Sequence, residues 1–400
     1  MEYYYPRKSE FMKNKTKIKR IGIDARFFGP KDKGFGRYTE NLIRNLEDID
    51  FKNKYFIFLR EDSYKEYQPR NRNFKKVLAD YKWYSLKEQI FLPLKLKKYK
   101  LDLVHFTHFN VPILYKQKFV VTIHDLTLRK FPTTKKSFKN FFTYPFKKLG
   151  YKIVFSRAVK KAEKIIAISN YTKQEILKYY NIEPEKIQVI YEGAYSQIKE
   201  GKKDELVDLE RTKTLSSKIK KPYLLYVGNA YPHKNLKRLI LAFKRVIKIF
   251  PDLYLILAGG DDYFYRKLKL EIKKQNPEIK NRVIFPGFIS ENDLDVLYRN
   301  AVLYVFPSLN EGFGLPPIEA MIRGVPVVSS KASCLPEVLG GAALYFNPLE
   351  VDDIAEKIKK VLSNKDLRKG LIEKGFKQIK KYSWQKMARE TGGLYKAVLN

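Results

Sequence analysis

Glu311-Gly-Phe-Gly-Leu-Pro-Pro-Ile-Glu319 runs directly into Ala320-Met-Ile-Arg-Gly-Val-Pro-Val-Val328. The Pro316-Pro317 pair suits the first turn of a helix, and the apolar run Val325 to Val328 reads as a buried strand, so the stretch predicts turn, helix, strand. A helix opening near Leu315 offers unpaired backbone N–H groups and a partial positive charge, which together attract a phosphate. Gly312 and Gly314 let the backbone approach a ligand closely. Glu311 precedes the turn, and Glu319 lies about one helical turn inside it. The two carboxylates thus flank the phosphate site as acceptors for ligand hydroxyls. The plainer account is a buried turn with capping acids; the second carboxylate and the proline pair favour the phosphate site.

Outward from this point the chain alternates short apolar strands with amphipathic helices, the pattern of α/β architecture with parallel sheets. In the first half strands are expected at about Ile21–Asp24, Tyr55–Leu59, Lys76–Ala79, Leu103–Phe106, Val120–His124, Ile165–Ile168 and Gln188–Tyr191. The second half repeats the alternation from Tyr223, with strands near Leu253, Val283, Leu303, Val325 and Leu344. A polar stretch over 196–220 reads as a linker. The expectation is a first domain over 1–195, the linker over 196–220, and a second domain over 221–382.

The length of 400 residues suits two domains. The single cysteine excludes an intramolecular disulfide and fits a reducing compartment. The first residues lack the apolar core of a signal peptide, and no apolar run reaches the roughly 18 residues that span a bilayer. A cytoplasmic protein is expected. The 80 basic and 43 acidic residues leave a net charge of +37, weighted toward the first half. That excess implies anionic partners, namely substrate phosphates, anionic lipid or nucleic acid, unless it reflects composition alone. A basic nucleic-acid-binding protein is therefore the rival outside enzyme chemistry.

The Glu311–Val328 segment resembles the signature of retaining family 4 glycosyltransferases. That resemblance implies the GT-B fold, two Rossmann-like doubly wound domains facing each other across a cleft, with a last helix, here 383–400, packing back on the first domain. It implies a nucleotide-sugar donor and a saccharide or lipid-linked saccharide acceptor, and no nucleic acid. Donor contacts are expected from Glu311, Gly312, Phe313, Gly314, Leu315 and Glu319. The loop Gly34-Phe-Gly36-Arg37 after the first strand matches the family's glycine loop, with its helix expected to begin near Arg37; Gly34 and Gly36 would line the donor.

In Val227-Gly-Asn-Ala-Tyr-Pro-His233-Lys234, Lys234 matches the family lysine that neutralises the diphosphate. Many relatives carry arginine directly after the glycine, where this chain has Asn229. The departure leaves open whether His233 or another side chain supplies that charge. His124-Asp125, closing a strand, matches the family's own pair. The resemblance makes His124 catalytic with Lys234 and Glu311, its imidazole over the transferring sugar, and gives Asp125 and His108 to the acceptor side.

Glu192 is a weak candidate only, and Ser169 or Asn170 is expected to cap a helix. No Asp-x-Asp cluster occupies a suitable loop, and Asp261-Asp262 reads as a helix cap, so no metal and no cofactor is expected. The early Gly-Phe-Gly-Arg-Tyr and later Pro-His-Lys-Asn-Leu loops look most like mannosyltransferases of surface-polysaccharide assembly. GDP-mannose is the first donor expected, with UDP- or ADP-glucose as the alternative. Two aromatic, lysine-rich segments, 82–99 and 135–148, suggest peripheral contact with an anionic membrane.

Overall fold

The structure is a computed structural model, and it describes residues 17–29, 32–131, 138–193 and 222–400. The expected linker and the Lys135–Lys136 part of the second basic segment lie outside those residues.

Strands β1 (Arg20–Asp24), β2 (Lys54–Leu59), β3 (Phe74–Leu78), β4 (Leu103–Phe106), β5 (Phe119–Ile123), β6 (Lys164–Ala167) and β7 (Ile187–Val189) form one sheet in the order β3-β2-β1-β4-β5-β6-β7. Every pairing in it is parallel. The second sheet joins β8 (Tyr223–Val227), β9 (Tyr254–Ala258), β10 (Val283–Ile284), β11 (Leu303–Phe306), β12 (Val327–Ser330) and β13 (Ala343–Phe346) in the order β10-β9-β8-β11-β12-β13. Its strands are also parallel. Parallel strands need both faces covered, which is why β4, β5, β11 and β12 are buried at every position.

In both sheets the order reverses beside the opening strand, between β1 and β4 and between β8 and β11. Ligand sites of doubly wound sheets form outside the carboxyl ends of strands at such points. The glycine loop follows β1, the Lys234 loop follows β8 and the Glu311 turn follows β11, so three of the expected segments stand at the two reversal points, and His124 follows β5, one strand farther along.

One helix joins the lobes. Trp384–Leu399 packs along Lys33–Ile49 of the first lobe. Tyr395 donates or accepts a 2.6 Å hydrogen bond with Nδ1 of buried His105, whose Nε2 meets Thr122 Oγ1 at 2.8 Å. Gly193 has no room for a side chain: a Cβ there would lie 2.3 Å from the backbone nitrogen of Trp384. The first lobe and the returning helix are thereby locked together by packing.

One boundary differs usefully from the sequence reading. The helix expected from Arg37 begins at Lys33, so Gly34 and Gly36 sit in its first turn instead of in a loop before it. Tyr38, Leu42, Ile43 and Leu46 are its buried stripe, and that stripe fixes the register. Arg37 consequently projects from the start of a rigid element.

Candidate active site

On the donor side, Gly228 and Asn235 bracket the loop after β8. Asn235 adopts φ 59° at the N-cap of the helix Leu236–Val246, and its Nδ2 donates to Pro307 O at 3.1 Å and Pro348 O at 2.7 Å. Those bonds tie the loop to the segments after β11 and β13. Lys234, on the short turn Pro232–Lys234, reaches Glu311 Oε1 with its Nζ at 2.6 Å, both side chains being nearly buried. Glu311 is itself oriented by its backbone N–H, which donates to Ser333 Oγ at 3.1 Å.

Gly314, at φ 92°, caps the helix Leu315–Ile322 with no side-chain acceptor, leaving its first N–H groups unclaimed by a cap. Glu319 lies on that helix; Tyr298 donates its hydroxyl to Oε2 at 3.0 Å, and Arg37 of the first lobe donates to Oε1. Arg37 also donates to Glu291 at 3.2 Å. The ring of Phe313 is buried between Tyr191 and Tyr382, so contact with a ligand at this position falls to its backbone.

His233 does not supply the extra charge. Its ring is buried, Nδ1 finds no hydrogen-bond partner among the described residues, and burial with the Lys234 ammonium beside it lowers its pKa to about 4. It is neutral near pH 7.

On the acceptor side, His124 is held at both ring nitrogens. Nδ1 lies 3.1 Å from Glu192 Oε1, and Nε2 lies 2.9 Å from the carbonyl oxygen of Thr107, which can only accept, so Nε2 carries a proton. Both ring nitrogens are therefore engaged within the first lobe. Asp125 accepts from Thr127 N at 2.7 Å and caps a short turn. His108 is buried among the rings of Phe27, Phe35 and Phe109, and burial pushes its imidazole well below the usual histidine range. Asp262, as expected, caps the helix Tyr263–Gln275, accepting from Phe264 N and Tyr265 N. Among the described residues no group of three or more His, Cys, Asp or Glu side chains is placed to hold a metal ion.

Sequence comparisons bear on this arrangement. The family described as Glycosyltransferase Family 4 matches residues 33–195, and Glycosyl transferases group 1 matches residues 209–378. The O-antigen chain mannosyltransferase RfbU of Salmonella typhimurium is 31% identical over 281 residues, 70% of each chain. The chain is a family 4 glycosyltransferase. The O-antigen chain mannosyltransferase B of Escherichia coli is 29% identical over 304 residues, 75% of this glycosyltransferase and 76% of the relative. In fold it superposes on HepE of Anabaena, solved in complex with UDP-glucose, at TM-score 0.71 and 17% identity, over 95% of this chain and 100% of the other.

The two lobes of the glycosyltransferase meet across its cleft through polar contacts. Ser169, the N-cap of the helix Asn170–Tyr179, donates its hydroxyl to Gly312 O at 2.7 Å. Tyr171 donates to Asn310 Oδ1 at 2.9 Å, and Asn310 Nδ2 to Thr127 Oγ1 at 2.7 Å. Glu337 of the second lobe accepts from the backbone N–H groups of Asn170 at 2.7 Å and Tyr171 at 2.9 Å, and from the Tyr191 hydroxyl at 2.9 Å. A carboxylate from one lobe therefore covers the positive end of a helix in the other.

Arg37, Glu192 and Glu337 enter the cleft without a role assigned from sequence. Glu337 and Arg37 find partners 167 and 282 positions away. Only Glu192 carried a signal, its place at a strand end before Gly193.

Proposed function

We propose that this glycosyltransferase moves mannose from GDP-mannose to a hydroxyl of a saccharide or lipid-linked saccharide in surface-polysaccharide assembly, retaining the anomeric configuration and needing no metal. The observation that carries the proposal is the Lys234–Glu311 pair at 2.6 Å, which puts an ammonium and a carboxylate at the mouth of two loops from adjacent strands. The choice of mannose follows the two O-antigen mannosyltransferases that the chain resembles.

In the reaction, the bond from the anomeric carbon to the β-phosphate oxygen breaks and its electron pair stays on that oxygen. The acceptor oxygen bonds to the anomeric carbon, and its proton passes to the departing phosphate. Lys234 and the amides at the start of the Leu315–Ile322 helix face the growing negative charge. Glu311 holds the sugar hydroxyls and Glu319 the ribose hydroxyls. His124 shapes the floor of the cleft, and Asp125 and His108 support the acceptor loops.

The test is slow donor hydrolysis without acceptor across GDP-mannose, UDP-glucose, UDP-N-acetylglucosamine and ADP-glucose, with and without EDTA. Release of GDP alone, unaffected by the chelator, is the expected result. Turnover of UDP- or ADP-glucose instead would move the donor assignment to the glucosyl alternative.

A second reading concerns location, at the cytoplasmic face of a membrane. Among the described residues no helix is long and apolar enough to cross a membrane. The helix Leu86–Lys98 nevertheless exposes Leu86 at 82%, Ile90 at 47%, Phe91 at 48% and Leu94 at 54%, beside exposed Lys87, Lys97 and Lys98. An apolar stripe edged by ammonium groups suits the surface of an anionic bilayer. Cosedimentation with phosphatidylserine vesicles should fall with salt and with charge reversal at Lys87, Lys97 and Lys98; binding indifferent to both removes this reading.

A further inference from the structure

The donor cleft is short of positive charge. Lys234 is already paired with Glu311 at 2.6 Å, Glu319 adds a second carboxylate, and His233 is neutral, yet the leaving group is a diphosphate. Asn229, directly after Gly228, carries a neutral amide. Its side chain is occupied locally, Oδ1 accepting from Tyr231 N at 3.2 Å. A second cation therefore has to reach the phosphates from elsewhere.

We propose that Arg37, from the opposite lobe, is that cation, parked on Glu319 while the donor is absent and transferred to the diphosphate when it binds. The inference rests on the donor reading above. Glu319 has two carboxylate oxygens: Oε2 is taken by the Tyr298 hydroxyl at 3.0 Å, and Oε1 by the Arg37 guanidinium. Ribose hydroxyls are donors, as guanidinium N–H groups are, so the arginine holds the place that the ribose needs. A ribose that claims Oε1 displaces Arg37.

The displaced guanidinium needs another anion. Its side chain is only 32% exposed, and its remaining partner, Glu291, is 3.2 Å away on a side chain 70% exposed to water, where an ion pair contributes little. The nearest anion that arrives with the ribose is the diphosphate joined to it, at the N-terminus of the helix that carries Glu319. Arginine matches phosphate with paired donors in a fixed plane and does not deprotonate, so it meets the electron pair left on the β-phosphate oxygen without taking part in proton transfer. Projection from the first turns of Lys33–Ile49 makes the side chain a link between lobe closure and leaving-group stabilisation: the charge is delivered only when the lobes are together.

The arrangement distinguishes diphosphates from monophosphates. Removing Arg37 frees Glu319 for ribose, so a nucleoside monophosphate should bind as well or better, whereas the diphosphate loses a partner. By calorimetry with GDP and GMP, Arg37→Met should lower the diphosphate-to-monophosphate affinity ratio by about tenfold or more, as expected for a charge-assisted bond. An unchanged ratio overturns the proposal. If a UDP-sugar turns over in the wild type and GDP-mannose does not, the guanine donor reading has failed on its own, and the ratio still tests Arg37 with UDP and UMP in place of the guanine nucleotides.

With turnover established, Arg37→Met should reduce kcat roughly a hundredfold and change donor KM much less, with Arg37→Lys in between. The double variant Arg37→Met/Asn229→Arg, which moves the charge to the loop after β8 beside Lys234, should recover at least about tenfold of the loss. A kcat within threefold of wild type for Arg37→Met, or a folded double variant no faster than the single one, assigns Arg37 to lobe contact alone and overturns the proposal.

Discussion

Gly312 of the donor turn lies directly against the backbone carbonyl of His124: a Cβ added to Gly312 would stand 1.9 Å from that oxygen and 2.9 Å from its carbon. The two residues belong to different lobes, and their contact is backbone on backbone. The glycine after Glu311 is thus required by how closely the lobes approach, in addition to any access it gives a ligand. Thr172 fixes the other side of the contact by donating to His124 O at 3.1 Å.

Gly312→Ala should hold the lobes apart while leaving each sheet intact, because the clash is with the opposite lobe. A misplacement of about an ångström at a reacting centre costs roughly a hundredfold in rate. Kinetics should show that loss in kcat, small-angle scattering should show a wider particle, and far-ultraviolet circular dichroism should be unchanged. Wild-type kcat would mean that the observed approach of the lobes is not the reactive one.

Lys234→Ala should depress kcat by about two to three orders of magnitude if the ammonium meets the leaving phosphate. Glu319→Ala should instead raise donor KM strongly, since it removes an interaction present before and during the reaction. Steady-state kinetics on the preferred donor separates the two, and near-normal constants in both would remove the site assignment.

Stability should fall on acidification below neutrality. His105 is lowered to about 3 by burial, with His124 a lesser cause, and His233 to about 4. Both rings are neutral in the folded protein and take up protons in the unfolded chain at about 6.5. Folded values depressed in this way contribute stability that is full above about pH 6.5 and is lost as pH falls toward about 4 and 3. The slope is on the order of 1.4 kcal/mol per pH unit for each ring. Urea unfolding at pH 7.5 and pH 5.5 should show the drop, and His105→Gln should flatten it; a midpoint independent of pH would show that these rings are not the titrating groups.

Glu337→Ala should leave the Ser169 cap in place but remove the acceptor of the first two N–H groups of the Asn170–Tyr179 helix, and loosen the hold of the lobes on each other. Loss of a helix cap typically costs about 1 kcal/mol, and here the loss falls on the interface. Proteolysis near the lobe junction should accelerate, with only a small shift in Tm, while Glu337→Gln, which keeps one acceptor oxygen, should lie between. An unaltered cleavage rate would mean that the other cross-cleft bonds hold the lobes without it.

The strand pattern was legible because parallel strands buried on both faces read as continuous apolar runs, so β4, β5, β11 and β12 stand out. Their ends were less clear: the strand expected at Lys76–Ala79 runs Phe74–Leu78, since edge strands carry polar residues that blur the period. The start of the helix at Lys33 was missed for a local reason. Glycines 34 and 36 disfavour helix, and the interior stripe from Tyr38 onward overrides them.

Within the site, the sequence by itself determined what is local: the Glu311–Glu319 turn and helix, Lys234 beside a helix start, capped helix starts at Ser169 or Asn170 and at Asp261-Asp262, and the two alternations that became two sheets. Each depends on backbone preference or spacing over a few residues. Tertiary structure alone decided that His124 is tied to Glu192 and Thr107, that His233 is buried and neutral, and that Arg37 reaches Glu319 across the cleft. The first depends on how the strands of one sheet are ordered, the last on how the two lobes face each other, and hydrogen bonding and desolvation between residues from 17 to 282 positions apart leave no mark on local sequence.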